Sequence, residues 1–303
     1  MAAKLITVLG PTAVGKTRLA VHIAGKFNGE IISADSRQVY KGMDIGTGKD
    51  IEEYFFDGQP IQYHLIDIAE PDQEFNLFSF RKDFETAFNK IISKNKMPIL
   101  VGGTGLYLSA VLQNYSLKKV NFDSARKTQL ESLCIDELNK ILLSLNPNLH
   151  NSTDLLHKDR IVKAIIISES DNIPETMNVD FDSLVIGIIK PRVELKKNIT
   201  KRLKHRLENG MIEEVEKLIN KGISSEKLNF FGLEYRFVSQ YINGELNYND
   251  MFQKLNSAIH SFAKRQMTWF RKMEKEGVKI NWIRTEEIED AYKMVDKFLS
   301  ANA

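Results

Sequence analysis

A single cysteine, Cys134, stands among 303 residues. That excludes an internal disulfide and any metal site built on a cysteine cluster. Seven prolines and 17 glycines are too few for a collagen-like or linker-rich chain. No run approaches the roughly 18 apolar residues a membrane-spanning helix needs. The opening stretch MAAKLITVLG carries no charged leader, long apolar segment or cleavage site, and leads directly into a strand-like run. The expected address is therefore the reducing cytoplasm, with no membrane partner. A large net charge is also missing, since 42 Lys and Arg face 40 Asp and Glu. What is present is 43% hydrophobic and 27% charged residues, enough apolar material for a core and too much for wholesale disorder. The length suggests about two domains.

The near-neutral balance conceals an uneven distribution. Between Lys190 and Lys279 there are 19 basic and 11 acidic residues, whereas the rest of the chain has 23 basic and 29 acidic. The basic second half suits an anionic partner, and equally a solvated helical surface.

Strand and helix patterns alternate through the first hundred residues. Leu5 to Leu9 reads as a buried strand, Thr17 to Phe27 as a helix and Glu30 to Ala34 as a second strand. Tyr63 to Ile68 and Pro98 to Val101 read as further strands, with a helix over Phe78 to Ile92 between them. Ser183 to Ile189 and Val278 to Ile283 read as late strands. Such alternation predicts an α/β fold with a parallel sheet. Ser116 to Asp182 changes texture, with helices expected over Ala125 to Leu145 and Asp159 to Ser168. We read it as a helical insertion, giving a core of residues 1–115 and 183–303 and an inserted domain of residues 116–182. From Val193 to Lys275 the chain reads as helical, broken only at Gly210, Gly222, Gly232 and Gly244.

The sharpest motif is GPTAVGKT, comprising Gly10, Pro11, Thr12, Ala13, Val14, Gly15, Lys16 and Thr17. It matches the P-loop pattern in full and lies between a predicted strand and a predicted helix. Loop amides and a helix N-terminus favour an anion there, and Gly15 permits close approach of phosphate. Lys16 brings an ammonium to the phosphate oxygens, and the Thr17 hydroxyl is placed to ligate Mg²⁺. The loop does not say which phosphates it holds; a kinase, a nucleotide hydrolase and a diphosphate-displacing transferase can all use it.

A second motif, SADSRQVYKGMDIGTGK, follows the second strand. Asp35 ends that strand at the loop's mouth, where a carboxylate serves as general base, as metal ligand or merely as a turn aspartate. YHLIDI and VGGTGLY come next, the latter bringing Thr104 to the carboxyl ends of the strands. FAKRQMTWFR near the end mixes Lys264, Arg265 and Arg271 with Trp269. Nucleic-acid surfaces mix cations and aromatics in that way, and so does a helix exterior with one core tryptophan.

Taken in order, GPTAVGKT, DSRQVYKGMDIGT, HLIDI, GGTGLY and AKRQMTWFR resemble the tRNA dimethylallyltransferases, also called tRNA isopentenyltransferases. The resemblance spans Gly10 to Arg271. It implies a P-loop NTPase-like core that binds diphosphate rather than ATP. It further implies transfer of a dimethylallyl group from dimethylallyl diphosphate to N6 of the adenine immediately 3′ of the anticodon. By that resemblance Asp35 is the base, Thr104 positions the reacting groups, and Arg236 joins the loop on the diphosphate. The tRNA-contacting positions it implies are Asp35, Ser36, Arg37, Gln38, Thr104, Arg126, Asp159, Arg160, Ile161, Val162, Lys163, Lys264 and Arg265. A channel between core and insertion is expected, with the anticodon stem-loop entering one side and the donor the other. A monomer is expected.

The chain departs from the family pattern in four places. GTAKP becomes Gly46-Thr47-Gly48-Lys49-Asp50, and the Gly-Tyr before Arg236 becomes Glu234-Tyr235. The Thr-Arg before AKRQ becomes Ile259-His260, and Arg-Ala-Leu-Glu-Val in the insertion becomes Lys163 to Ile167. The rival reading is a P-loop small-molecule or nucleoside kinase. Its lid arginines would be Arg192, Arg202 and Arg206, which read as lying along one long helix. His22, His64, His150 and His157 read as structural, and Cys134 as a buried helix residue. Glu213, Glu214 and Glu216 read as a solvated helix face, and the Phe78 to Phe88 aromatics as core.

Overall fold

The computed structural model describes residues 3–120, 122, 124–147, 155 and 157–301. By internal packing the chain divides into two units, residues 1–114 with 178–303, and residues 115–177.

The first unit opens with β1 (Ala3–Leu9), whose Leu5, Ile6, Val8 and Leu9 are fully buried. Continuous burial of this kind belongs to a strand covered on both faces. Helix α1 (Lys16–Lys26) follows, then β2 (Gly29–Ala34). A short ribbon of β3 (Phe55–Phe56) and β4 (Gln59–Pro60) precedes β5 (Tyr63–His64). Helix α2 (Leu77–Ser93) begins at Asn76, whose side chain accepts from the Ser79 amide and caps it. Its Phe80, Phe84 and Phe88 are buried, as core spacing predicted. Strand β6 (Met97–Gly102) and helix α3 (Gly105–Leu112) complete the first half.

The second unit holds α4 (Ser124–Glu131), α5 (Ile135–Leu145) and α6 (Lys158–Glu169). Leu130, Leu138, Leu142, Ile161 and Ile165 form a small core of their own. An antiparallel bridge between Leu117 and Glu175 ties its two ends together.

The chain returns through β7 (Phe181–Ile189) to α7 (Arg192–Glu208), α8 (Met211–Asn220), α9 (Ser225–Phe231) and α10 (Leu233–Ile242). The long α11 (Tyr248–Lys275), β8 (Ile280–Arg284) and α12 (Ile288–Ser300) close the described chain. The six-stranded sheet has the order β5-β2-β6-β1-β7-β8, and every pairing in it is parallel. From β1 the chain crosses to β2 on one side, and β7 pairs on the other. The carboxyl ends of β1, β2 and β6 therefore meet at a topological switch point, where open α/β sheets bind ligands.

Three sequence expectations change. The strand over Tyr63 to Ile68 stops after His64, because Leu65 and Asp67 adopt positive φ of 64° and 56° and leave the extended region. The helix over Ala125 to Leu145 breaks between Glu131 and Ile135. Cys134 caps the second piece and is exposed, not buried within a helix. Its amide donates to the Glu137 carboxylate at 2.8 Å, closing a capping box. His150 lies outside the described residues.

Candidate active site

The loop joining β1 to α1 carries Ala13 at φ 60° and Gly15 at φ 99°. Left-handed residues alternating with others form the backbone nest that turns successive N–H groups toward an anion. A non-glycine residue held in that region stores strain, which is common where a loop grips a ligand. Lys16 Nζ donates to the Pro11 carbonyl at 2.8 Å. Burial first, and Arg202 second, lower the Lys16 ammonium to about 8, while Asp35 acts the other way.

One loop amide is already engaged. The Thr12 N–H donates to Gln266 Oε1 at 2.8 Å, so it is not among the donors expected for diphosphate. Gln266 Nε2 in turn donates to the Gly103 carbonyl at 2.9 Å. A buried side chain from α11 thus clips the P-loop to the loop after β6. The sequence displayed Gln266 only as one letter of AKRQMTWFR.

Asp35 follows β2. Its Oδ1 accepts from the Arg37 amide at 2.9 Å, an Asx turn that fixes the carboxylate's direction. No hydrogen-bond partner occupies its second oxygen among the described residues. Thr104 stands at the N-cap of α3 yet caps no amide of that helix. Its hydroxyl oxygen instead accepts from the Ser36 amide at 3.1 Å. That stitches the two strand ends together and leaves the hydroxyl proton free to donate. Ser33 Oγ donates to Gln38 Oε1 at 2.9 Å, and Gln38 Nε2 donates to the Gly48 carbonyl at 2.9 Å. The Arg37 guanidinium lies over the Phe230 ring at 4.6 Å. The structure therefore gathers the P-loop, residues 35–38 and Thr104 in one place.

The rest of the second motif is scaffolding. Lys49, only 1% exposed, donates to the Tyr40 carbonyl at 2.8 Å and to Asp44 Oδ1 at 2.7 Å, and pairs with Asp67 of HLIDI. Glu214 corrects the solvated-face reading of its helix. It is buried, and its carboxylate accepts from the amides of Asp44, Ile45 and Gly46 and from the Tyr235 hydroxyl. A carboxylate spanning 168 residues of sequence to hold one loop leaves no local pattern to read.

Several expected contacts fall elsewhere. Arg236 is exposed on α10 with its guanidinium 5.2 Å from the Phe237 ring. The charged groups lining the cavity beside Thr12 and Ala13 are Arg202, Arg206 and Glu234. Two of the three arginines that the kinase reading would need as a lid, Arg202 and Arg206, thus line a cavity with the loop. Ile161 and Val162, expected to touch RNA, are buried in the core of the second unit, because their helix turns its apolar stripe inward. Asp159 and Arg160 are exposed on the same helix, and the Lys163 ammonium lies 5.8 Å from the Phe122 ring. Arg126 is ion-paired with Glu169 and donates to Gln129 Oε1 at 2.8 Å. Lys264 and Arg265 are exposed on α11. Trp269 is a tie to α3 rather than a stacking platform, donating its indole N–H to Ser109 Oγ at 2.9 Å. Its ring fills the space where a side chain at Gly105 would stand, 2.3 Å from a Cβ there.

A parallel α/β sheet with a P-loop after β1 and a carboxylate after β2, two strands away in the sheet, is the arrangement of an enzyme that handles a phosphorylated donor. Comparison with known proteins narrows the class. The family profile described as IPP transferase matches residues 38–273, and one described as isopentenyl transferase matches residues 3–61. The chain belongs to the IPP transferase family. It is 54% identical over 284 residues to tRNA dimethylallyltransferase 2 of Citrifermentans bemidjiense, covering 92% of this chain and 90% of that one. It is 50% identical to tRNA dimethylallyltransferase 1 of Geotalea uraniireducens, covering 100% and 99%. Its fold matches the crystal structure of full-length tRNA isopentenylpyrophosphate transferase from Bacillus halodurans with a TM-score of 0.72 at 30% identity, over 98% and 97% of the two chains. A eukaryotic dimethylallyltransferase acting on tRNA shares the fold with a TM-score of 0.80 at 22% identity, over 100% and 81%.

Proposed function

We propose that this chain transfers the dimethylallyl group of dimethylallyl diphosphate to N6 of the adenine 3′-adjacent to the anticodon of tRNA, releasing diphosphate. The observation that carries the reading is Asp35, fixed by its own Asx turn at the mouth of a P-loop, with one carboxylate oxygen left for substrate. Near-full-length identity to relatives named tRNA dimethylallyltransferase supports the choice of reaction.

The exocyclic amine of adenine is a weak nucleophile, because its lone pair is delocalised into the ring. In this reading the free oxygen of Asp35 accepts a proton from that amine as the carbon–nitrogen bond forms. The carbon–oxygen bond to the diphosphate breaks and its electron pair leaves on oxygen. Lys16, the free amides of the loop and the α1 N-terminus stabilise that growing charge. Thr104 donates its hydroxyl proton toward the reacting groups. The target base must leave the anticodon stack, at a cost of a few kcal/mol. Phosphate contacts from Lys264, Arg265 and Arg37 offset that cost.

Mg²⁺ fits the site in a limited way. No group of three or more metal-ligating side chains occurs among the described residues. Thr17 would therefore hold the ion together with donor phosphate oxygens and water, as Mg²⁺ sites on P-loops commonly do. There the ion would neutralise phosphate charge. Among the described residues no helix is long and apolar enough to cross a membrane.

The test incubates purified protein with Mg²⁺, radiolabelled dimethylallyl diphosphate and unmodified bulk tRNA. Label in the RNA is the expected outcome. An unlabelled RNA, with ATP consumed on a small hydroxylated acceptor, would replace this reading by a kinase.

A further inference from the structure

We infer that the outer groove between α7 and α11 is a cationic track for the sugar–phosphate backbone of tRNA beyond the anticodon stem-loop, built from Lys196, Lys197, Lys201, Lys204 and His260 and continued by Lys264. This rests on the tRNA reading above and extends it to a part of the RNA which that reading leaves without a contact.

The two flanks of α7 face different surroundings. Its apolar stripe, Ile199, Leu203 and Leu207, is buried between them. On one flank Asn198 lies 3.5 Å from the Ala13 carbonyl and Arg202 lines the cavity beside the P-loop. On the other flank Lys196, Thr200 and Lys204 recur every four residues, with Lys197 and Lys201 just beyond them. These five residues and His260 of α11 line one open groove, which shares no residue with the cavity at Thr12 and Ala13. All four lysines are exposed.

Helix α11 runs antiparallel to α7 along this groove. Thr200 Oγ1 donates to Asn256 Oδ1 at 3.0 Å. One turn back along α7, Lys196 acts on the charge of His260, one turn forward along α11. Lys264, placed on tRNA phosphate in the reading above, is exposed a further turn along the same flank of α11. At about 1.5 Å per residue the track runs about 18 Å from the level of Lys264 to that of Lys204. It leads away from the P-loop, and so from the end that holds the anticodon.

The charges on this flank lack counter-ions. Elsewhere the chain balances its helix-surface lysines: Lys127 pairs with Glu131, Lys272 with Glu276 and Lys293 with Asp290. Around α7 itself, Lys190 pairs with Glu286 and Arg202 with Asp50. Among the described residues none of Lys196, Lys197, Lys201 and Lys204 pairs with a carboxylate, although Glu194 and Glu208 stand at the two ends of the helix. Lys197 and Lys201 place like charges at i and i+4, an arrangement that destabilises a helix. His260 Nδ1 is buried with no hydrogen-bond partner, and burial first, then the Lys196 charge, hold its imidazole below the usual value.

A row of phosphates matches this pattern better than a single small anion does. The four lysines are spread over about 12 Å of helix, too far apart to close on one phosphate. Flexible ammonium groups act as point charges and follow a backbone without reading its bases.

The experiment compares full-length unmodified tRNA with its isolated anticodon stem-loop, by filter binding and by single-turnover labelling from dimethylallyl diphosphate. The proteins are wild type, the fourfold variant Lys196→Gln, Lys197→Gln, Lys201→Gln and Lys204→Gln, and the corresponding fourfold Lys→Arg variant. In about 0.1 M salt the Gln variant is expected to bind full-length tRNA more than about tenfold more weakly than wild type, with a slope of log affinity against log salt lower by about 3. It should bind the stem-loop within about twofold of wild type, because the lost contacts lie outside that fragment. The Arg variant should keep the wild-type affinity and slope, since it keeps every charge. Full-length tRNA bound alike by wild type and the Gln variant, or an equal loss on both RNAs, would overturn the inference; labelling of the RNA by wild type would leave the prenyl-transfer reading standing. Wild type that labels neither RNA would overturn both.

Discussion

Raising the pH should release the donor, and the titration of Lys16 sets where. Its ammonium is lowered from the ordinary 10.5 to about 8, by burial first and by Arg202 second. That displacement corresponds to about 3 kcal/mol spent on keeping the charge in this buried, cation-rich surrounding. A bound diphosphate adds negative charge beside it and restores the cation. Binding therefore takes up a proton whenever the free enzyme has lost one. Near pH 7 the lysine is already charged, so its own contribution to the pH dependence is small there. Between pH 7 and 9 the dissociation constant for dimethylallyl diphosphate should rise about tenfold, approaching tenfold per unit above 8. An ester diphosphate is fully ionised over most of that range, with its last ionisation near 6, so the slope reports the protein. Calorimetry in buffers of different ionisation enthalpy should show about half a proton taken up at pH 8. Lys16→Arg cannot lose its charge; its affinity is expected to be lower but level across the same range. A wild-type dissociation constant that does not change from pH 7 to 9, with no proton uptake, would refute the reasoning.

Other perturbations read other parts of the account. Glu214→Gln removes a charge that accepts four hydrogen bonds from the Asp44–Gly46 loop and Tyr235, and should cost about 3 kcal/mol in chemical denaturation. Replacing Lys264 and Arg265 together by alanine should lower the slope of log affinity for tRNA against log salt by about 2; an unchanged slope would deny them phosphate contacts. Glu30 should contribute to acid stability. Burial alone would raise its carboxyl, but hydrogen bonds from His64, Lys96 and Lys94 override that and hold it at about 2. A depressed carboxylate stabilises the fold above its unfolded value and loses that contribution as pH falls. Glu30→Gln should therefore erase up to about 3 kcal/mol seen in wild type above pH 4.5 and lost toward pH 2. Coincident wild-type and variant curves across that window would contradict the assignment.

Local chemistry was legible in the sequence wherever one element carries it. The P-loop announces itself because backbone nest, lysine and threonine occupy eight adjacent positions. Strand and helix periodicity placed the loop, Asp35 and Thr104 at the strand ends, and the parallel sheet followed from the same alternation. Contacts made by one long-range side chain were not legible. Gln266 joining Thr12 to Gly103, and Glu214 holding a loop some 170 residues earlier, look in sequence like ordinary helix positions. Ile161 and Val162 show the converse error, since a motif position drawn as a contact turned out to be the apolar stripe of its own helix. Arg202 and Arg206 lay on the predicted helix; what the sequence lacked was the direction in which that helix passes the loop.

The most direct test is a single-turnover comparison of wild type and Asp35→Asn, using unmodified tRNA and dimethylallyl diphosphate with the product located by nucleoside mass spectrometry. Wild type is expected to place the group on N6 of the adenine beside the anticodon. Asp35→Asn is expected to bind both substrates within about twofold of wild type while turnover falls by about 10²-fold or more, the usual worth of a general base. A variant that reacts at the wild-type rate, or a wild-type product carrying the group on any other atom, would contradict it.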